Sequence, residues 1–209
     1  MMNKVSSSIR SPYLQKKREA MIQNILETAR AIMREQGVAA LSMQELARRM
    51  NMRAPSLYYY FSSKMDVYDA LFRLGFTKYG EYLEQANQSI HTWQEYIKQS
   101  FESYMAFAQQ NPDLYQLCFE RPVPGFLPSE ASMQVSLSLL NQSYQRAQVW
   151  KETIQTNLSA RQMVDLVIAV MHGLTAMHMS NEPELPAGQG RFGSLIPVAL
   201  GLFENAWEE

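Results

Sequence analysis

The stretch from Ser42 to Lys64, SMQELARRMNMRAPSLYYYFSSK, restricts this chain more than any other. Ser42 stands three residues before Glu45, the spacing of a capping box. In that arrangement the Ser hydroxyl accepts the N–H of the third helical residue and the Glu carboxylate reaches back to the cap. Leu46, Ala47 and Met50 then give one apolar face to a short helix over Met43–Met50. Asn51 follows, at a turn that wants a residue tolerant of positive φ. Pro55 lies near the start of a second helix, where its missing N–H costs nothing. That second helix is expected to run about two turns. Leu57 and Phe61 are four apart and share its buried face, so Tyr58, Tyr59 and Tyr60 spread around the remainder. Two short helices meeting at a sharp turn are a helix-turn-helix, in which the second helix enters a DNA major groove.

The side chains suit that role. Arg48, Arg49, Arg53 and Lys64 bring positive charge, and the serines and tyrosines bring hydroxyl donors for phosphate oxygens. The competing reading of the same residues is a helical hairpin that shows an aromatic patch to another protein. The segment LSMQELARRMNMRAPSLYYYFSSKMDVYDAL resembles the DNA-binding signature of the TetR (tetracycline-repressor-like) transcription regulators. Ser42, Ala47, Ser56, Leu57, Tyr58, Tyr60, Phe61, Ser63 and Lys64 fall on matching positions, and the match covers roughly residues 16–75. Asn51 departs from a common Gly, and Ala54-Pro55 replaces a more usual Lys/Arg/Pro-Gly/Ala/Ser pair. Readout is therefore expected to lean on Arg53, Tyr59 and apolar contact with thymine methyls. The expected DNA-binding set is Ser42, Met43, Arg53, Ala54, Pro55, Ser56, Tyr58, Tyr59, Tyr60 and Lys64. Within it, Arg53 and Tyr59 are assigned to bases, and Ser42, Ser56, Tyr58, Tyr60 and Lys64 to phosphates.

Charge separates the chain in the same sense. Residues 1–64 hold 11 Lys/Arg against 4 Asp/Glu, while residues 65–209 hold 8 against 16. A basic head on an acidic body is the footprint of a nucleic-acid-binding module on a solvated partner domain. An architectural DNA binder without sequence preference, the second rival, is usually basic throughout. The single cysteine, Cys118, excludes a disulfide framework and a Cys-rich zinc site. No start resembles a secretory signal, so a bacterial cytoplasmic, nucleoid-associated location is expected.

The remaining pattern is helical. Residues 1–15 are polar and contain Pro12; they are expected to form a flexible tail whose Lys4 and Arg10 could reach a minor groove. A helix is expected over Lys16–Gln36, closed by Gly37, and another over Lys64–Gln85, opened by Ser63 and Asp66. An aromatic helix over Thr92–Gln110 is broken by Asn111-Pro112-Asp113, and a short helix over Leu114–Glu120 follows. RPVPGFLPS, Arg121–Ser129, is a loop. A long helix is expected over Glu130–Thr156, overriding a strand-like alternation at Met133–Leu139. Ser159 caps a helix that is apolar nearly all round from Met163 to Met179, judged too short and interrupted for a membrane span. The loop Asn181–Arg191 leads to a last helix over Phe192–Trp207. The fold class is all-α with about nine helices: tail 1–15, DNA-binding head 16–64, and regulatory and dimerisation body 65–209.

The body offers no enzyme. His91, His172 and His178 lack metal spacing, Cys118 has no His near it in sequence, and no phosphate-binding Gly loop or G-x-S-x-G occurs. No cofactor, metal or catalytic residue is expected. Phe101, Tyr104, Phe107, Tyr115, Phe119 and Trp150, with Met171, His172 and a chain containing fourteen methionines, are the candidate walls of an apolar ligand pocket. The same stripes also read as ordinary core. The resemblance implies a homodimer through the last two helices, a double-stranded palindromic operator and a small-molecule inducer. The function expected is a repressor released by an apolar or amphipathic molecule through a shift between body conformations. A regulator controlled by a protein partner, without an inducer, is the remaining rival.

Overall fold

The computed structural model describes residues 12–86 and 90–207; Lys4 and Arg10 lie outside them. Among the described residues the chain is α-helical and divides between Val67 and Tyr68 into two compact units.

The first unit holds α1 (Pro12–Gln36), α2 (Met43–Arg49) and α3 (Ala54–Tyr58), with a 3-10 turn at Val38–Ala40. Helix α1 starts four residues before the expected boundary, with Pro12 at its first position, where the absent N–H leaves no bond unmade. Ile25, Leu26, Ala29, Ile32 and Met33 form its buried stripe. Gly37, at φ 92°, closes α1, its N–H donating to the Met33 carbonyl at 2.9 Å. α2 packs on α1 and α3 on α2, with Leu46 and Ala47 of α2 buried. Leu57 and Phe61 are buried together, as their spacing of four requires. Asn51 takes φ 52°, the left-handed geometry the turn demands. Helix α3 is shorter than expected: five residues, with Tyr59 and Tyr60 in the turn that follows. The Tyr60 and Phe61 N–H groups both converge on the Leu57 carbonyl.

Helix α4 (Lys64–Ala86) opens on Ser63, whose Oγ accepts the Asp66 N–H at 3.2 Å and donates to its carboxylate at 3.0 Å. It belongs to both units. The second unit continues with α5 (Trp93–Gln110), α6 (Pro112–Tyr115), a π turn (Gln116–Glu120), α7 (Glu130–Trp150), α8 (Ala160–Asn181), α9 (Gly190–Gly193) and α10 (Ile196–Trp207). Capping boxes at Thr92/Glu95 and Ser159/Gln162 set the starts of α5 and α8. Helix α7 begins at Glu130 as expected and ends at Trp150, short of Thr156. Ile154 keeps the apolar spacing but lies beyond the helix end, where it is still buried. The last expected helix is two, because the chain turns at Ser194–Leu195 between α9 and α10.

The core of this unit is aromatic. Phe101, Phe107 and Tyr115 are among its largest fully enclosed side chains, and Trp93 of α5 meets Trp207 of α10 at 5.3 Å. Enclosing one such ring contributes roughly 1.5–3 kcal/mol, with further gain from edge-on geometry. The Pro-rich loop is fastened to α4. Asp69 accepts the Ser129 N–H at 2.6 Å, the Ser129 hydroxyl at 2.9 Å and the Ser132 hydroxyl at 2.8 Å. Burial alone would raise the Asp69 carboxyl; these bonds, with Arg73 nearby, outweigh it and hold the group below its ordinary value. Phe126, in the same loop, packs on Tyr68 and Phe72 of α4.

Helix α8 corrects one expectation. At 22 residues it is, by length and composition alone, long and apolar enough to cross a bilayer. It is also two-faced rather than enclosed all round. Met163, Val164, Met171, Thr175 and His178 are buried, whereas Leu166, Ile168 and Met177 are exposed.

Candidate DNA-binding surface and ligand cavity

The exposed surface of the first unit is built at the junction of α2 and α3. Arg53 is the N-cap residue of α3 and is exposed, as are Pro55 and Ser56. Tyr58 and Tyr59 present 50% and 68% of their surface to solvent, large values for rings that could have been buried. Tyr60 is half-buried and meets Tyr59 edge-on at 5.1 Å, which limits the rotation of both. Lys64 is exposed at the head of α4. Ser42 is half-buried, and its Oγ accepts the Glu45 N–H at 3.2 Å. The hydroxyl proton stays available to an incoming phosphate. Ala54 is half-buried, and Met43, expected in this set, is buried at 8% exposure. Its spacing places it on the same apolar side of α2 as Leu46 and Ala47.

Glu45 does not close the expected capping box. Its carboxylate accepts from Arg48 at 2.7 and 2.8 Å and from Arg49 at 2.8 Å, and Arg49 also bridges to Glu35 at 2.7 Å. Guanidinium donors are charged and the cap N–H is not, so they win the carboxylate. The bonds from Arg48, then Arg49, hold the Glu45 carboxyl down at about 2. Part of the positive charge counted in the sequence is therefore neutralised within α1 and α2. Arg53 and Lys64 make no ion pair among the described residues.

The second unit contains a cavity of about 520 Å³, in the size range of pockets that take drug-sized molecules. Phe76, Tyr79 and Leu83 of α4 form one wall at steps of three and four. Helix α5 supplies a second through Trp93, Tyr96, Ile97, Ser100 and Tyr104, and α7, α8 and Trp207 of α10 add the rest of the helical wall. Of the residues expected at the pocket, Tyr104, Phe119, Trp150, Met171 and His172 line it. Phe101, Phe107 and Tyr115 do not. They are fully buried in the surrounding core, where Tyr115 stacks behind Tyr104, Phe119 and His172. Sequence reasoning missed Phe76, Tyr79, Tyr96, Arg121 and Trp207. Tyr96 lies on the expected aromatic helix and the α4 residues on the expected helix Lys64–Gln85, but neither signal separates lining from core.

Polar groups in the cavity are few and mostly paired. The Tyr104 hydroxyl and His172 Nδ1 lie 2.8 Å apart, Ser100 Oγ donates to the Tyr96 carbonyl at 2.7 Å, and Ser143 Oγ meets the Tyr96 hydroxyl at 3.0 Å. Burial pushes the Tyr79 and Tyr104 hydroxyls far above the ordinary phenol range, so both stay neutral. All three tryptophans of the chain, Trp93, Trp150 and Trp207, line this cavity. Cys118 is buried with its thiol pushed upward by desolvation, an inert core position. No cluster of His, Cys, Asp or Glu among the described residues could hold a metal ion.

Residues 25–71 match the family model described as bacterial regulatory proteins, tetR family. No curated protein matches the chain by sequence. Solved structures do. A protein of unknown function from Rhodococcus sp. RHA1 superposes with a TM-score of 0.74 at 16% identity, over 99% of this chain and 100% of the other. KstR2, a ketosteroid transcriptional regulator of Mycobacterium tuberculosis, gives 0.63 at 14% identity, over 99% and 100%. FadR, a fatty acid degradation regulator from Bacillus halodurans, gives 0.67 at 15% identity, over 92% and 95%. At such identities the likeness establishes a shared fold.

Proposed function

We propose that this chain, whose residues 25–71 match the tetR family model, is a DNA-binding repressor that binds a palindromic operator as a homodimer and is released by a small amphipathic molecule. The observation that carries the release step is the cavity of about 520 Å³, walled in part by α4, the helix that runs on from the DNA-binding unit. A molecule that fits one arrangement of α4 and α7 better than another shifts the population toward it. A shift in α4 then changes whether two heads match one operator.

Dimerisation is supported by the apolar residues that α8 and α10 leave uncovered. Leu166, Ile168 and Met177 of α8, and Val198 and Leu202 of α10, are exposed, Val198 and Leu202 at 58% and 66%. Two late helices of this kind suit an isologous four-helix contact about a two-fold axis. A two-fold dimer sets its recognition helices about 34–36 Å apart, one turn of duplex. In this arrangement Arg53 and Tyr59 reach base edges, while Ser42, Ser56, Tyr58, Tyr60 and Lys64 hold phosphates.

Selection from random duplex DNA at moderate salt, with competitor DNA present, tests the proposal. A palindrome bound far more tightly than competitor is the expected result. Uniform binding that weakens steeply with salt and prefers no sequence would leave only the phosphate contribution and would overturn it.

A further inference from the structure

We infer that the cavity takes an anionic amphiphile: an apolar body bearing a single carboxylate, with the carboxylate held by Arg121. The inference rests on the proposal that the cavity is a ligand site, and it names the chemistry that site would select.

The lining includes many apolar and aromatic residues and exactly one side chain of permanent charge, Arg121. No aspartate or glutamate lines it, and Glu120 acts on the Tyr104 hydroxyl only through its field, so a cationic ligand would leave water with no carboxylate in contact. Arg121 forms no ion pair among the described residues. Glu120, its neighbour in sequence, does not line the cavity. The other polar lining groups are largely engaged with one another: Tyr104 with His172, Ser143 with Tyr96, Ser100 with the Tyr96 carbonyl and Ser136 with the Met133 carbonyl. Among these lining groups, the guanidinium is the one strong donor array left for a ligand, and its planar fork matches a carboxylate in two parallel bonds.

The backbone under Arg121 is fixed. Its N–H donates to the Gln116 carbonyl at 3.1 Å, closing the π turn, and it takes φ 51°. A left-handed conformation at a branched-out, bulky residue is rare outside positions that the surroundings determine. The same π turn delivers Phe119 into the cavity wall two residues earlier. One local element thus sets both the apolar wall and the cation beside it, the two contacts an amphiphile needs. Arg121 is exposed as well as lining, so the charged head can keep part of its hydration while the apolar body is enclosed.

The tryptophans make the test direct, because every one of them lines the cavity. Tryptophan emission of the full chain is titrated with dodecanoate and dodecylammonium below their micellar concentrations and with 1-dodecanol below its solubility limit. The rigid pair adamantane-1-carboxylate and 1-adamantanemethanol is titrated in parallel. Saturable binding of at least one carboxylate, roughly tenfold or more tighter than its alcohol, is the expected result, that ratio being about 1.4 kcal/mol. Arg121→Gln should abolish the advantage, bringing carboxylate affinity down to that of the matching alcohol, and Arg121→Lys should keep part of it. An alcohol or the ammonium binding as tightly as the matching carboxylate would overturn the inference while leaving the cavity a ligand site. An unchanged carboxylate affinity in Arg121→Gln would do the same. If none of the five probes binds, the ligand-site reading fails, and this inference falls with it.

Discussion

Alanine at position 75 offers a sharp test of how α4 meets the π turn. A Cβ built on Gly75 collides with Cys118 Sγ and lies 3.5 Å from Leu114 Cβ. The thiol cannot swing away freely, since it is buried and its Sγ contacts the Phe72 carbonyl at 3.6 Å. Overpacking of this kind typically costs about 1–3 kcal/mol. Replacing glycine within a helix returns about 1 kcal/mol of propensity. Gly75→Ala should therefore destabilise the second unit by about 0–2 kcal/mol. Cys118→Ala alone should cost about 1 kcal/mol, from the buried atom it removes. The double variant removes the collision, so Cys118→Ala should become neutral or stabilising once alanine occupies position 75. The coupling between the two changes is then about 1–3 kcal/mol, far outside the additivity expected of independent sites. Urea unfolding followed by tryptophan emission isolates the effect, because all three tryptophans lie between residues 93 and 207. Effects that simply add, to within about 0.5 kcal/mol, would refute the packing argument.

Three further outcomes are expected. Arg53→Ala should relax specificity at one base position and weaken operator binding by about 1–3 kcal/mol, whereas Tyr58→Phe should weaken all sequences alike; competition assays on operator and random DNA giving the same ratio for both variants would dissolve that division of roles. Leu202→Glu buries a charge in any contact through α10, so sedimentation should show a monomer with normal helicity; a persistent dimer would move the interface elsewhere. The Glu45 carboxyl is held at about 2, below its ordinary 4.5. Its stabilising bonds to Arg48 and Arg49 are therefore complete above about pH 4.5 and are lost as pH falls toward 2. Glu45→Gln should flatten the acid limb of helix loss in that window, and matching acid profiles for the two proteins would exclude a role for the cluster.

What could be read from the sequence was what short-range chemistry decides. Ser42, Asn51, Pro55 and Ser63 each act within four residues, and their caps and turn appear where their side chains require them. Glu45 failed as a box partner because the outcome was a competition, and arginines one turn away carry charge that the cap N–H lacks. Periodicity told which residues of α5 share a face but not whether a neighbouring helix fills the space opposite. Phe101 and Phe107 therefore proved to be core while Tyr96 and Tyr104 line a cavity. The same ambiguity ended α7 early: Ile154 keeps the apolar step and its burial after the helix has stopped. Arg121 was unreadable as a lining residue, since its placement depends on a π turn and on walls from five other helices, α4, α5, α7, α8 and α10.

The loop between Arg121 and Ser129 has no slack. Its first residue is tied back by the Gln116 carbonyl, its middle is pressed onto α4 through Phe126, and its last is clasped by Asp69. Three prolines stiffen what lies between. The α4 attachment points, Tyr68, Asp69 and Phe72, fall within little more than one helical turn, and that turn begins where the two units divide. Such a segment is a tether rather than a hinge: it links Arg121 and the first turn of α7 to residues 68–72 of α4, held at both ends and in the middle.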